Sequence, residues 1–411
     1  MARMTAAADI DELRAAHAAA PRARRAWLIV LLGSLTAFGA LSIDMYLPGM
    51  PALARDLGVD HGKAETTVAA FLFGLAMGQL LYGPLADRFG RRPPLLFGIA
   101  LYTAASLGCA MATSLDLLLL LRVLQAIGAC AGIVIARAVV RDLYEARQSV
   151  NVFALLMLVM GVAPILAPLL GGYVVVAAGW RAIFWLLAGF GLAVGLAVLF
   201  LLRETRPASV AAHARAERPW RSYLELLRDR ELMAYCVAGS LSAAALFAYV
   251  SSSSSLLIGV YQVPVAAFGW VFGLNALGVI ASGQLNRFLT RRWSSRSILR
   301  SANLTACAAA AVLAAAALSG IGEPLSVLVP LWIVLATYGV AAPNATAIVM
   351  HRSGPRAGTA SGLFGFMQSM TGALAATATG LLHDGTARPM AVMILALMLA
   401  SALALAMTRE G

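Results

Sequence analysis

Two ionisable side chains stand out inside long apolar runs of this chain: Asp44, in Ser42-Ile43-Asp44-Met45-Tyr46-Leu47-Pro48, and Arg122, at the end of Leu117–Arg122. A charge in hydrocarbon costs several kcal/mol, so such a group is a candidate for function. At ~1.5 Å per helical residue, Arg122 lies about 7–8 Å below Leu117 and Asp44 about 9 Å below Met50, so both can occupy one layer. Three readings stay open. The two groups form a permanent ion pair that locks one helix to another. Asp44 alternates between protonated and charged forms beside Arg122, which would let it exchange a proton for a small molecule. Or Asp44 sits at a helix end in water.

A second cluster is the stretch Gly83-Pro84-Leu85-Ala86-Asp87-Arg88-Phe89-Gly90-Arg91-Arg92, with four charges in ten residues between apolar runs. It reads as a very short polar turn between two membrane helices. Glycine permits positive φ and close backbone approach there. Topology alone accounts for Arg91 and Arg92 but poorly for Asp87. Metal and redox chemistry find little support. Cys109, Cys130, Cys236 and Cys307 lie in apolar runs as packing residues, and the five histidines are scattered near helix ends or in loops.

The elements that must carry these groups follow from composition. With 61% hydrophobic and 12% charged residues and a mean hydropathy of +0.83, the chain departs from soluble domains, which carry about 25% charged residues. Apolar runs of about 20 residues are long enough to cross a ~30 Å core. They predict twelve spans near 27–50, 66–86, 93–113, 116–138, 148–172, 180–202, 231–257, 266–286, 297–319, 325–350, 357–382 and 387–408. The net charge of +12 invites a nucleic-acid reading, which its distribution refutes. Of the 31 Lys and Arg, 26 fall on the face shared with the termini and 4 on the other, with Arg122 assigned to a span. That asymmetry predicts both termini in the cytoplasm. No cleavable signal is evident in residues 1–26, and the first span can act as the insertion signal.

The polar segment 203–230 divides the spans six and six. The expected organisation is therefore a cytoplasmic segment 1–26, a six-helix half 27–202, a linker 203–230 with a short surface helix at Ser222–Leu227, and a second half 231–411. Gly283-Gln284-Leu285-Asn286-Arg287 with Arg291-Arg292 repeats Gly83…Arg92 at an offset of 200, without the acid and the second glycine.

The pattern G-x-L-A-D-R-x-G-R-R at Gly83–Arg92 closely resembles the loop between helices 2 and 3 of the major facilitator superfamily. D-M-Y-L-P at Asp44–Pro48, R-A-V-V-R-D-L-Y at Arg137–Tyr144, F-G-L-N-A at Phe272–Ala276 and G-L-L-H-D-G at Gly380–Gly385 look like its Bcr/CflA drug/proton antiporters. The resemblance implies an all-α membrane fold of twelve helices in two pseudo-repeated halves, with substrate bound between them. It also implies that Arg122, in Arg122-x-x-Gln125-Ala126-x-Gly128, takes part in proton coupling. Pro164, Pro168, Gly171 and Gly172 match the antiporter signature of helix 5, with Ala163 and Ala167 in place of the usual glycines. Asp87 is expected to approach the start of helix 11 near Gly358-Thr359, where a helix dipole favours a carboxylate. Arg88 and Arg92 could compete for it.

Polar or amphipathic groups within spans (Tyr46, Gln79, Gln125, Tyr249, Asn275, Tyr338 and Gln368) are either a cavity lining for an amphipathic drug or interhelical glue. The Ser251–Ser255 run could line a wet passage. The expectation is a monomeric proton-driven exporter of small amphipathic drugs in a bacterial inner membrane, working by alternating access. It would use the proton gradient and no cofactor, and it would engage lipid and protons but no nucleic acid. An exporter of a natural metabolite (amino acid, peptide or siderophore) is the alternative. A membrane enzyme would need a nucleophile–base pair or metal ligands in the spans, and no histidine lies there. No G-x-x-x-x-G-K-[ST] phosphate loop is present.

Overall fold

In the computed structural model, which describes residues 21–206 and 219–408, helix ends fall where caps, prolines and glycines put them. Asp229 accepts from the backbone N–H groups of Glu231 and Leu232 and starts one helix, while Ser294 and Ser114 cap two others. Gly320, at φ +67°, ends another in the left-handed region. The result, among the described residues, is twelve helices of 19 residues or more. They are α1 (Arg22–Asp44), α2 (His61–Phe89), α3 (Arg92–Met111), α4 (Leu115–Leu143), α5 (Ala146–Ala178) and α6 (Trp180–Leu201). The second six are α7 (Arg230–Ser254), α8 (Val265–Leu289), α9 (Ser295–Ser319), α10 (Leu325–Ser353), α11 (Ala357–Leu381) and α12 (Arg388–Ala406).

Eleven of these are long and apolar enough to cross a membrane. The other is α11, rich in Gly, Ala, Ser and Thr. It packs between α2 and α7, where small side chains allow close approach and lipid contact is not what selects them. One buried apolar cluster runs through both halves and a second lies within the C-terminal part, and the halves meet chiefly through α2 against α11 and α5 against α8.

Several boundaries differ from those the hydropathy predicts. Helix α1 stops at Asp44, and the chain continues through a single turn at Leu47–Gly49 and a short helix at Met50–Asp56. Pro48 and Pro51 each stand in the first turn of the next element, where a missing N–H costs nothing. The polar stretch is a turn only at Gly90 and Arg91; Gly83–Phe89 forms the last two turns of α2, and Gly90 has φ +99°. Arg137 and Arg300 lie within α4 and α9, so Arg122 is not alone inside the helices. Within the linker a helix runs over Pro219–Arg228, includes the expected Ser222–Leu227, and packs on α7 and α11. Most of the predicted 1–26 segment and the centre of the linker lie outside the described residues.

Candidate functional site

Asp44 is the last residue of α1 and is buried, so it faces neither lipid nor water. Its carboxyl makes no ion pair among the described residues, and Arg122 does not approach it. The Arg122 guanidinium donates instead to the Ser42 carbonyl at 3.0 Å and to Gln125 at 2.7 Å. It stacks over the rings of Phe71 (4.4 Å), Tyr46 (4.6 Å) and Phe184 (5.7 Å). The two charges share a layer, as the rise per residue predicts, but the expected pair does not form. The reason is angular. Ser42 faces the first half, where its hydroxyl meets Tyr102 at 2.8 Å. Two residues on, at about 100° each, Asp44 points to the other side of α1. There Tyr249 of α7 lies within its electrostatic reach, and Asn275 of α8 donates to the Tyr249 hydroxyl at 2.8 Å.

The seven expected lining residues divide accordingly. Tyr46 and Gln125 are interior parts of the first half: Tyr46 bonds Thr67, and Gln125 donates to Ser106 at 2.8 Å. Tyr249 lies near Asp44 from the second half, and Asn275 holds the Tyr249 hydroxyl. Gln79 crosses between halves, donating to Ser369 of α11 at 3.1 Å over the bare backbone of Gly365. Tyr338 borders a small cavity inside the second half with Ser242, Asn303 and Thr337. Gln368 is half-buried on α11, and its carbonyl accepts from Thr371.

Helix α5 runs unbroken through Pro164 and Pro168. Its glycines are points of backbone contact. A methyl group on Gly171 would stand 1.9 Å from the Met45 carbonyl oxygen, immediately after Asp44, and one on Gly172 would stand 2.8 Å from that of Val265. The proline–glycine face therefore presses on both the break after α1 and the start of α8. Gly269 completes that seam, close against the backbone of Pro168 and Leu169.

The Gly83–Arg92 end carries a charge network internal to the first half. Buried Arg91 pairs with Asp87 and, at 2.9 Å, with Asp142 at the end of α4. Glu204, just beyond α6, accepts from the backbone N–H groups of Arg91 (2.8 Å) and Arg92 (3.1 Å). Burial pushes the Glu204 carboxyl up, but these donors and those of Thr205 and Arg206 outweigh it and hold it below its ordinary 4.5. Asp87 thus faces Arg91 four residues on, one helical turn away. It is not paired with the start of α11, where a methyl on Gly358 would meet open space, as would one on Gly83. Arg88 lies over Phe89, and Arg92 donates to the Leu199 carbonyl.

Glu65 was not anticipated. It lies one residue outside the predicted second span, yet it is in the second turn of α2 with 0% exposure. Ser252 donates to it at 3.0 Å, and Ser255 provides a second side-chain bond. The buried serine run of α7 thus faces a carboxyl rather than a water-lined passage. That run was the available signal, since hydroxyls clustered in a span need a polar partner. Asp142 and Glu204 were missed because their roles depend on contacts 51 and 113 residues away in sequence.

The chain as a whole is similar to known proteins. The Major Facilitator Superfamily model matches residues 32–376. The uncharacterised MFS-type transporter YdgK of Bacillus subtilis (strain 168) is 34% identical over 391 residues, covering 93% of this chain and 96% of that protein. A bicyclomycin resistance protein homolog of Haemophilus influenzae is 32% identical over 371 residues, covering 88% and 91%. Among solved structures, a D-xylose–proton symporter superposes with a TM-score of 0.73 at 13% identity, covering 93% and 97%, a likeness of fold alone.

Proposed function

The chain belongs to the Major Facilitator Superfamily, and on that premise we propose that it exports small amphipathic drugs by exchange for protons, with Asp44 as the proton- and substrate-binding carboxyl. It is a multi-pass membrane protein and a secondary transporter of small molecules, not an enzyme. The observation that carries the finer reading is Asp44 itself. It is buried at a helix break, lacks a cationic partner among the described residues, and lies near Tyr249 of the second half, whose hydroxyl Asn275 holds. A carboxyl so placed is held neutral more cheaply than charged. It can give up its proton when a cationic or hydrogen-bonding substrate takes its place. The drug class rests on the resistance relative.

Arg122 has a different part in this reading. Held by three rings and the Ser42 carbonyl, it fixes the orientation of the chain on either side of Asp44, and Gly171 backs the same break. The end bearing Gly83–Arg92 faces the cytoplasm of a bacterial inner membrane, and its ion-pair network keeps the first half rigid while the halves rock. A potential of about 100 mV drives one proton with ~2.3 kcal/mol. Since a tenfold gradient costs ~1.4 kcal/mol, one proton per neutral molecule sustains a gradient of roughly 40–50-fold without ATP.

Expression of the wild type and Asp44→Asn in a drug-sensitive host, across a compound panel, tests the assignment. Resistance disappears in the variant while membrane levels stay unchanged. In proteoliposomes, wild-type protein releases protons on substrate addition and the variant does not. Undiminished resistance in Asp44→Asn would reject the assignment.

A further inference from the structure

We infer that Glu65 is a second proton-carrying site, which holds the end of the molecule opposite the Gly83–Arg92 network shut while protonated and lets it open on releasing its proton there. This rests on the chain alternating between two faces, not on the role of Asp44.

The argument starts from placement. Glu65 belongs to the first half, and both serines that reach it belong to the second. Ser252 and Ser255 are three residues apart, so they share one helix face, and at Ser255 the helix passes into a π-helical turn, Ser255–Val260. Such turns occur frequently at functional sites. On the same level Ser251 meets Thr379 of α11 at 3.4 Å. One turn earlier the backbones of α2 and α11 touch: a methyl on Gly62 would stand 2.2 Å from the Gly380 carbonyl oxygen. Opening this end must draw Glu65 away from the serines.

The site's chemistry then selects the protonated form. No cation pairs with Glu65 among the described residues, and its Oε1 has no hydrogen-bond partner. Two serine hydroxyls do not replace the hydration of a carboxylate, whose burial costs several kcal/mol. The neutral acid suits the closed state, and the carboxylate suits a state in which water reaches it. The step balances simply: the O–H bond of the acid breaks, water takes the proton, and the carboxylate remains.

A route for that proton is present. A small cavity beside Ser252 and Ser255 is also lined by Thr379, His383 and Thr386, of which His383 and Thr386 are partly exposed. The other titratable groups around the site are accounted for. His61 and Lys63 share α2 with Glu65, while Arg55 and Asp56 lie on the short helix, with Asp56 paired to Arg181. His383 and Asp384 follow α11, and burial followed by the nearby His61 holds His383 below its ordinary 6.5. Tyr46, between Arg122 and Glu65, interacts electrostatically with both.

Spin labels at Lys63→Cys and Leu382→Cys, on the starting end of α2 and just past α11, report the opening by pulsed distance measurement. The full-length protein is used in lipid nanodiscs with its four native cysteines replaced. Between pH 5 and pH 9 the long-distance population of the parent rises at least tenfold. In Glu65→Gln it stays at the low-pH level throughout, whereas Glu65→Asp keeps the transition. A parent distance indifferent to pH overturns the inference. So does a Glu65→Gln profile like the parent's, or a response abolished by His383→Gln but not by Glu65→Gln. Should Glu65→Gln fail to fold, the double variant Ser252→Ala/Ser255→Ala keeps the carboxyl and removes donors that favour its charged form. Its midpoint moves up by at least one pH unit, and an unmoved midpoint overturns the inference. An opening lost in Asp44→Asn but normal in Glu65→Gln would refute this site while leaving the exporter reading intact.

Discussion

The two ends of the molecule are held by different physics. At the Gly83–Arg92 end, Arg91, Asp87, Asp142 and Glu204 join α2, α3 and α4 of the first half and the start of the linker. At the opposite end the half-exposed Asp56–Arg181 pair lies within the first half, and the halves meet through backbone packing at Gly62 and Gly380 and the hydrogen bonds of Glu65 to the α7 serines. Ion pairs with buried partners suit a body that must stay rigid, because breaking one leaves an uncompensated charge. Close backbone contact and a titratable acid suit a seam that parts, as the proposed alternation requires. On the proposed mechanism, the first end stays rigid and the second one moves.

The largest effect expected from breaking this contrast is at Arg91. Arg91→Ala strands buried Asp142 and removes about 3–5 kcal/mol of stability, read as a lowered melting temperature of the purified protein and lost transport. Arg91→Ala/Asp142→Asn recovers part of it. Next is Gly62→Ala, whose methyl cannot fit against Gly380. It disfavours the closed end by about 1–3 kcal/mol and raises the long-distance population between labels at Lys63→Cys and Leu382→Cys, with little change in melting temperature. A melting loss like that of Arg91→Ala would show that this end, too, is part of a rigid core.

A pH prediction follows at Glu204. Its carboxyl is held below 4.5, so its contribution is complete above that value and is lost as pH falls through the lowered one. Wild-type stability therefore declines below about pH 4.5 more steeply than that of Glu204→Gln, which starts lower at pH 7. Equal slopes in melting temperature against pH would remove Glu204 from the network. The smallest effect is expected of Asp87→Asn. The Asp87 side chain is 47% exposed in an i,i+4 pair, which is worth about 0.2–1 kcal/mol. Transport abolished by this change without loss of stability would point to a state in which Asp87 meets α11 after all.

The repeat at Gly283–Arg292 sharpens the same contrast. Where the first half has its charge network, the second has Asn286 accepting from Asn344 at 2.7 Å and Arg287 reaching Gln284 at 3.4 Å. The repeat lacks the acid and the second glycine, and among the described residues no buried ion pair stands there.

Apolar run length, charge asymmetry and the motif at Gly83–Arg92 were enough to define twelve helices, their grouping in two sixes and the layer shared by Asp44 and Arg122. Each is a one-dimensional property: run length against bilayer thickness, and rise per residue against depth. What only the folded chain decided is azimuth and partnership. Asp44 and Arg122 diverge because two residues rotate a helix face by more than half a turn, whereas the halt of α1 at Asp44 is local, since Pro48 has no N–H to bond the Asp44 carbonyl. Glu65 was hidden because a carboxylate at a span edge reads as a surface group until the opposing serines and Gly380 close over it.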